Sequence, residues 1–137
     1  MKKVLILAMM LNASCGPSGP DFDEDHAFEY LLKQCEFGPR NPSSEGYYKC
    51  LEFMLEELDK TADDIIIQEF SYQEKKHRTR HDLSNVIARY NIDSEIQTII
   101  SCHWDTRPWS DSEPNRKDRN QPIIGANDGG SGVAVLL

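Results

Sequence analysis

The chain has 137 residues, of which 28% are charged and 39% hydrophobic, as in ordinary globular proteins. This length suffices for one domain with a hydrophobic core. The formal net charge of −8 argues against nucleic acid as a partner. No apolar stretch reaches the roughly 18 residues that a membrane-spanning helix needs.

The N-terminus has the layout of an export signal. Residues 1–14 carry, in order, a short basic start, an apolar stretch and a small polar end, which predicts a signal peptide. A buried N-terminal strand or helix is the alternative. Residues 15–20 predict a flexible tether, and Cys15 is a candidate for lipidation, although Asn12 stands where lipoprotein sites usually have an aliphatic residue. We therefore expect an exported protein, periplasmic or lipid-anchored at the cell envelope, with no other membrane contact.

Two amphipathic helices are predicted next. Asp21 is the predicted cap of the first, with Glu24 three residues on. Residues 37–42, which contain two prolines and a glycine, end that helix. Ser43 or Ser44 caps the second. The side chains predicted to face the core are Ala27, Phe28, Leu31, Leu32 and Cys35 in the first helix, and Tyr47, Leu51, Met54, Leu55 and Leu58 in the second.

The remainder of the chain is predicted to form strands, a loop and the start of a helix. Residues 64–72 and 83–90 predict two strands. Residues 98–102 are short, apolar and unalternating, which predicts an inner strand covered on both faces. Residues 109–121 predict a long surface loop. Residues 133–137 look like the opening of a buried helix.

The cysteines predict no zinc knuckle, because none of the four has Cys-x-x-Cys spacing. Cys102, inside the predicted inner strand, is expected to be a small core residue. Cys35 and Cys50 are either paired, as an exported protein permits, or two unlinked thiols on helix faces. The sequence leaves both alternatives open.

His103 and Asp105 follow the predicted inner strand directly. In open α/β sheets the ligand crevice lies at the carboxyl ends of the strands, which is where these two residues fall. Two positions apart on an extended segment, they point to the same side. Imidazole and carboxylate suit zinc, and either side chain can bind the metal while the other orients it. A hydrogen-bonded, buried histidine is the alternative for His103.

Asp128 lies among small residues, in the sequence GANDGGSG, before the last predicted helix. Glycines let the backbone approach closely and adopt conformations closed to other residues. The alternative role for Asp128 is the N-cap of that helix. For His103 or Asp128 considered alone, the structural alternative is the better explanation. An H-x-D at a strand end together with a glycine-flanked Asp before a helix is far more specific for a metal site.

These two stretches, CHWDTRPWSD and PIIGANDGGSGVAVLL, resemble the zinc-dependent exopeptidase-like family of metal aminopeptidases and glutaminyl cyclases. HWDTRPW and the Phe-Gly-Pro-Arg turn at residues 37–40 are more similar to the bacterial and animal-type glutaminyl cyclases than to ordinary aminopeptidases. The resemblance implies that residues 21–137 are the N-terminal part of a truncated α/β domain, with a mixed central sheet sandwiched between helices. One departure is Pro42-Ser43, where the family often has Pro-Gly.

The resemblance also implies roles for the site residues. Asp128 matches the metal-binding Asp, which bridges two zinc ions in aminopeptidases and binds the single zinc of cyclases. His103 matches a residue that binds metal only in the two-zinc enzymes, and Asp105 matches a supporting carboxylate. The peptide bond between Asp128 and Gly129 is often cis in the family. The general-base Glu and the remaining ligands are expected after residue 137.

The function expected from the resemblance is that of a zinc-dependent glutaminyl-peptide cyclotransferase. It would convert the N-terminal Gln of peptides or proteins to pyroglutamate and release ammonia, using one zinc ion. A two-zinc aminopeptidase that removes N-terminal residues is one alternative, and a non-catalytic binding module of the same fold is another. The fragment by itself is expected to be inactive. Trp104 and Trp109 are expected to pack in the core or loop rather than line a substrate pocket.

Overall fold

The computed structural model describes residues 21–75 and 78–137, and this part of the chain forms three α-helices and one β-hairpin. In chain order the elements are α1 (Glu24–Glu36), α2 (Glu45–Leu58), β1 (Asp64–Gln73), β2 (Arg80–Arg89) and α3 (Ser131–Leu136). The predicted signal peptide and tether, residues 1–20, lie outside the described residues. None of the helices described is long and apolar enough to cross a membrane.

The cap of α1 differs from the prediction by two residues. Oδ1 of Asp23, rather than of Asp21, accepts a hydrogen bond from the backbone N–H of His26 at 2.9 Å. Asp23 precedes the first helical residue and has extended backbone angles, φ −91° and ψ 91°, which direct its side chain at the free N–H groups of the first turn. The prediction of Asp21 rested on a capping-box spacing that this helix does not use.

The structure shows which of the two candidate serines caps α2. Ser44 caps the helix, because its Oγ accepts from the N–H of Tyr47 at 3.1 Å and donates to the carbonyl of Pro39 at 2.9 Å. Ser43 has φ 67°, in the left-handed region that favours glycine. Ser43 therefore adopts a backbone conformation that glycine adopts with less strain.

The two strands form an antiparallel hairpin, from Asp64 opposite Arg89 to Gln73 opposite Arg80. Both predicted strands are confirmed, with β2 beginning three residues earlier than expected. The hairpin is tied to α2 by the backbone N–H of Ser84, which donates to Oη of Tyr47 at 2.8 Å. Much of the apolar surface of β1 stays exposed, since no described element packs over it.

Residues 98–102 form no strand in the part of the chain that the structure describes, so the prediction of a covered inner strand is wrong here. Ile99 and Ile100 are 90% and 74% exposed, and Cys102 is exposed rather than a core residue. A strand requires a neighbour for its backbone hydrogen bonds, and no described segment pairs with this one. Ile100 and Cys102 instead line an apolar groove of about 350 Å³ between α2, β2 and α3.

The core joins α2 to α3. Its buried cluster consists of Cys50, Met54 and Val133, with Phe37, Leu51, Val86, Trp104 and Leu137 packed against it. The stripe predicted on α2 is therefore confirmed at its centre. The stripe predicted on α1 is wrong at Phe28 and Leu32, which are 58% and 49% exposed because no described element covers that face. Cys35 and Cys50 are free thiols, so the disulfide alternative is not realised.

Candidate metal centre

His103 has an oxygen atom near each of its ring nitrogens. Nδ1 lies 3.1 Å from the backbone oxygen of Asp105 and 3.8 Å from a carboxylate oxygen of the same residue. Nε2 lies 3.1 Å from Oδ1 of Asp128. The His103 side chain is 55% exposed, so the alternative of a buried, structurally satisfied histidine is wrong for the described residues. The two sequence motifs therefore meet at this imidazole.

Asp128 is held by a kinked turn, Ala126–Gly130, that leads into α3. Gly125 and Gly129 have φ of 63° and 93°, which other residues rarely adopt, and Asp128 between them is not helical. The first turn of α3 has no side-chain cap, so the alternative role of Asp128 as an N-cap is wrong. The Asp128–Gly129 peptide bond is trans, against the expectation taken from the resemblance.

Gly129 brings this turn against the histidine ring. A Cβ added at Gly129 would lie 2.9 Å from Cε1 of His103 and 3.0 Å from Nδ1, closer than real Cβ atoms approach. Only the lack of a side chain permits such a contact between backbone and ring. The glycine beside Asp128 thus lets the turn that carries the carboxylate pack closely against His103.

Trp104 anchors the other side of the site. Its ring stacks on Tyr47 with 4.1 Å between centroids, and its Nε1 donates to the carbonyl of Ser84 at 3.2 Å. These contacts join the segment after residue 102 to both α2 and β2. Trp104 is therefore a packing residue, as the sequence predicted, and its neighbour His103 projects from a fixed point.

Arg40 connects the two motif segments, and sequence reasoning missed this role. Its side chain is 0% exposed, and the structure gives its guanidinium hydrogen bonds to backbone carbonyls. The acceptors are Trp104 at 3.1 Å from Nε, Gln34 at 3.3 Å and Ile124 at 2.9 Å from Nη1, and Gly125 at 2.9 Å from Nη2. The sequence marked residues 37–40 only as a helix break and a point of resemblance, because no sequence signal distinguishes a buried arginine from a solvated one.

The backbone of Arg40 makes a further pair of contacts with the His103 side. Its N–H donates to Oγ1 of Thr106 at 2.9 Å, and its carbonyl accepts from the N–H of Thr106 at 3.2 Å. Gln34, 0% exposed on α1, holds the far end of the Asp128 turn by donating from Nε2 to the carbonyl of Gly130 at 3.0 Å. The turn between α1 and α2 thus supports both halves of the site.

The donors present fit part of a zinc site. Imidazole nitrogen and carboxylate oxygen are common zinc ligands, and the 3.1 Å between Nε2 of His103 and Oδ1 of Asp128 is close to the roughly 3.3 Å between two ligand atoms on a tetrahedral zinc ion. Both side chains are more than half exposed, so an ion can reach them. A catalytic zinc takes three protein ligands, and residues 21–75 and 78–137 place no group of three His, Cys, Asp or Glu around one point.

Comparison with known proteins gives one family match. Residues 85–137 match the model of peptidase family M28, and this range contains His103, Asp105 and Asp128. No curated protein sequence matches the chain significantly. The family match therefore covers the segment that carries both motifs, while α1, α2 and β1 lie before it.

Solved structures match a larger part of the chain. The glutaminyl cyclase of Tannerella forsythia is 31% identical with a TM-score of 0.82, over 85% of this chain and 40% of that chain. A leucine aminopeptidase precursor from Bacteroides thetaiotaomicron VPI-5482 is 34% identical with a TM-score of 0.81, with the same coverage of 85% and 40%. A Zn-dependent exopeptidase from Parabacteroides distasonis ATCC 8503 is 32% identical with a TM-score of 0.81, again over 85% and 40%.

These matches confirm the resemblance to the zinc-dependent exopeptidase-like family and the α/β fold class. The helices and the antiparallel hairpin described above are the part of that fold present in this chain. The chain spans about 40% of the length of the three solved structures.

Proposed function

We propose, on the premise of this family resemblance, that the chain is the N-terminal part of a zinc-dependent glutaminyl-peptide cyclotransferase. Such an enzyme converts the N-terminal glutamine of a peptide or protein to pyroglutamate and releases ammonia. The observation that carries the proposal is the 3.1 Å contact between His103 and Asp128, which assembles the H-x-D motif and the glycine-flanked Asp into one site. The HWDTRPW sequence supports the cyclase over other activities of the fold, while the T. forsythia glutaminyl cyclase and the leucine aminopeptidase precursor match this chain equally well.

In this proposal Asp128 is a zinc ligand. Zinc held there supplies a Lewis acid that polarises the side-chain amide carbonyl of the substrate glutamine. His103 stays beside the ligand carboxylate without binding the metal, and the backbone oxygen of Asp105, rather than the expected carboxylate, holds the imidazole at Nδ1. In this proposal the general base that takes the proton from the attacking α-amine is a Glu side chain other than the residues placed at this site.

A two-zinc aminopeptidase is the second candidate. The same separation between Nε2 and Oδ1 suits two ligands of a shared zinc ion, and a leucine aminopeptidase precursor is among the similar structures. In this case His103 and Asp128 would both be ligands of the zinc ions. The two candidates differ in the role of His103 and in the number of zinc ions, not in the position of Asp128.

The proposal includes the setting in which the enzyme works. Residues 1–14 direct export, and the domain then works either free in the periplasm or anchored to the cell envelope by a lipid at Cys15. Its partners are the N-termini of exported peptides or proteins. The proposed location is tested by measuring the mass of Cys15-containing peptides from membrane and soluble periplasmic fractions, because lipidation of Cys15 would raise that mass. An uncleaved N-terminus in a cytosolic fraction would contradict it.

The experiment that tests the function uses the full-length protein loaded with zinc. It is incubated with a peptide that begins with glutamine, and the product mass is followed. Loss of ammonia alone supports the cyclase, and loss of the whole first residue supports the aminopeptidase. An N-acetylated version of the same peptide is the control, since its blocked amine cannot attack. No reaction by a zinc-loaded protein would contradict both enzymes for this substrate and favour the binding module.

A further inference from the structure

We infer that Arg40 is a positioning residue for the candidate metal centre, one that fixes the separation between His103 and Asp128 without touching either side chain. The inference rests on the proposed zinc function, and its test is separable from that function. The carbonyl of Trp104, next to His103, and the carbonyl of Gly125, at the start of the Asp128 turn, both accept from the same guanidinium at 3.1 and 2.9 Å. The two sides of the site therefore share one rigid donor.

The chemistry of the guanidinium makes this bridge specific. Its donors form a planar fork of fixed geometry, so the carbonyls bound to Nε, Nη1 and Nη2 are held in fixed directions relative to one another. Nε faces the His103 segment, whereas Nη1 and Nη2 face Ile124 and Gly125. A change in the position of either segment would break a charge-assisted hydrogen bond of this buried guanidinium.

The burial of Arg40 argues against a role as an ordinary surface cation. A fully buried guanidinium carries a large desolvation cost, which its hydrogen bonds offset only in this geometry. Removing the side chain leaves the carbonyls of Trp104, Ile124 and Gly125 without this donor. Lysine keeps the charge but concentrates its donors at one point, so it cannot bind both segments in the same way.

The test compares Arg40→Met and Arg40→Lys with the wild type in the full-length protein. Tyr30→Phe is the matched control, because it removes a part-buried hydrogen bond from Oη of Tyr30 to Glu57 that joins α1 to α2 outside both motif segments. Zinc affinity is measured by competition with a chelator, and backbone hydrogen exchange is measured for residues 103–106 and 124–130. Circular dichroism confirms that each variant is folded at the temperature used.

We expect Arg40→Met to weaken zinc binding by about tenfold or more, the usual effect of losing a group that orients metal ligands. Both segments should exchange faster in this variant, and Arg40→Lys should recover part of the affinity. Tyr30→Phe should lower stability and leave zinc affinity unchanged. A merely structural role predicts a different result, in which every folded variant binds zinc as tightly as the wild type.

Wild-type zinc affinity in folded Arg40→Met would overturn the inference, as would unchanged exchange in residues 124–130. If the wild type binds no zinc, the proposed function fails, and hydrogen exchange alone decides whether Arg40 couples the two segments. If Arg40→Met does not fold, Arg40→Lys decides in its place, since it keeps the charge but cannot bind both segments at once. Arg40→Lys should then bind zinc more weakly than the wild type, and wild-type affinity in this folded variant would overturn the inference.

Discussion

Nε2 of His103 and Oδ1 of Asp128 lie 3.1 Å apart, although the long surface loop separates them in the chain. This contact depends on Gly129, which leaves room for the ring, and on Arg40, which binds the segments on both sides. The pair combines an imidazole and a carboxylate at an exposed position, which is the chemistry that zinc prefers. The first two predictions below concern this pair, and the other two concern the fold that holds it.

Asp128→Asn should abolish stable zinc binding in the full-length protein. The amide keeps the shape of the side chain but loses the negative charge that binds the ion. The loss of zinc affinity should exceed the loss of about 10- to 100-fold that follows removal of a group that only supports a metal ligand. The measurement is zinc content after dialysis, together with turnover of a glutamine-initiated peptide.

Asp111→Asn is the matched control for that substitution. Asp111 is an exposed carboxylate that pairs with Arg107 four residues earlier, away from the His103–Asp128 contact. It should keep both zinc and activity. Zinc retained by Asp128→Asn at the wild-type level would mean that Asp128 is not a ligand.

His103→Ala separates the two enzyme candidates by the number of bound zinc ions. In a cyclase His103 is not a ligand, so the zinc content should remain at one ion per chain while turnover falls by about tenfold or more. In an aminopeptidase the zinc content should fall, because a ligand is lost. Elemental analysis of the purified variant beside the wild type decides between these outcomes, and unchanged turnover would contradict both.

Cys50 should make stability depend on pH in the alkaline range. Burial raises the pKa of its thiol from 9.0 to about 11. Since the proton is held more tightly in the folded chain, this contribution to stability is fully present below about pH 9 and is lost as the pH rises through about 11. The free energy of unfolding should fall across this window by up to about 3 kcal/mol more in the wild type than in Cys50→Ala.

Denaturant unfolding of both proteins at several alkaline pH values measures that difference. Lysine and tyrosine groups titrate in the same range, but they are common to both proteins and cancel in the comparison. If the free energy of unfolding varied with pH in the same way in the wild type and in Cys50→Ala, the Cys50 thiol would either keep its proton in this range or not be buried in solution.

Substitutions of the two serines before α2 should affect stability differently. Ser44→Ala removes the N-cap and should lower the free energy of unfolding by about 1 kcal/mol. Ser43→Gly relieves a left-handed conformation that costs a residue with a Cβ about 1 kcal/mol, partly offset by the greater freedom of glycine in the unfolded chain. Ser43→Gly should therefore leave stability unchanged or raise it. Thermal unfolding of both variants is the measurement, and a clear loss from Ser43→Gly would contradict the assignment.

Local patterns predicted α2, both strands of the hairpin and the start of α3, because periodicity and turn residues act within a few positions. They failed for residues 98–102 and for the apolar side of α1. Both predictions assumed covering elements, and a sequence pattern records only that a segment is apolar. Whether Ile99 or Phe28 is covered depends on neighbours that are absent from the described residues.

The sequence by itself determined the chemistry available at the site, since the types and spacing of His103, Asp105 and Asp128 indicated zinc and pointed to the family. Tertiary structure decided how these residues meet. The approach of Gly129 to the ring and the hydrogen bonds of buried Arg40 join segments far apart in the chain. No local pattern encodes such contacts, because the direction of a hydrogen bond and the burial of a charge exist only once the segments have packed together.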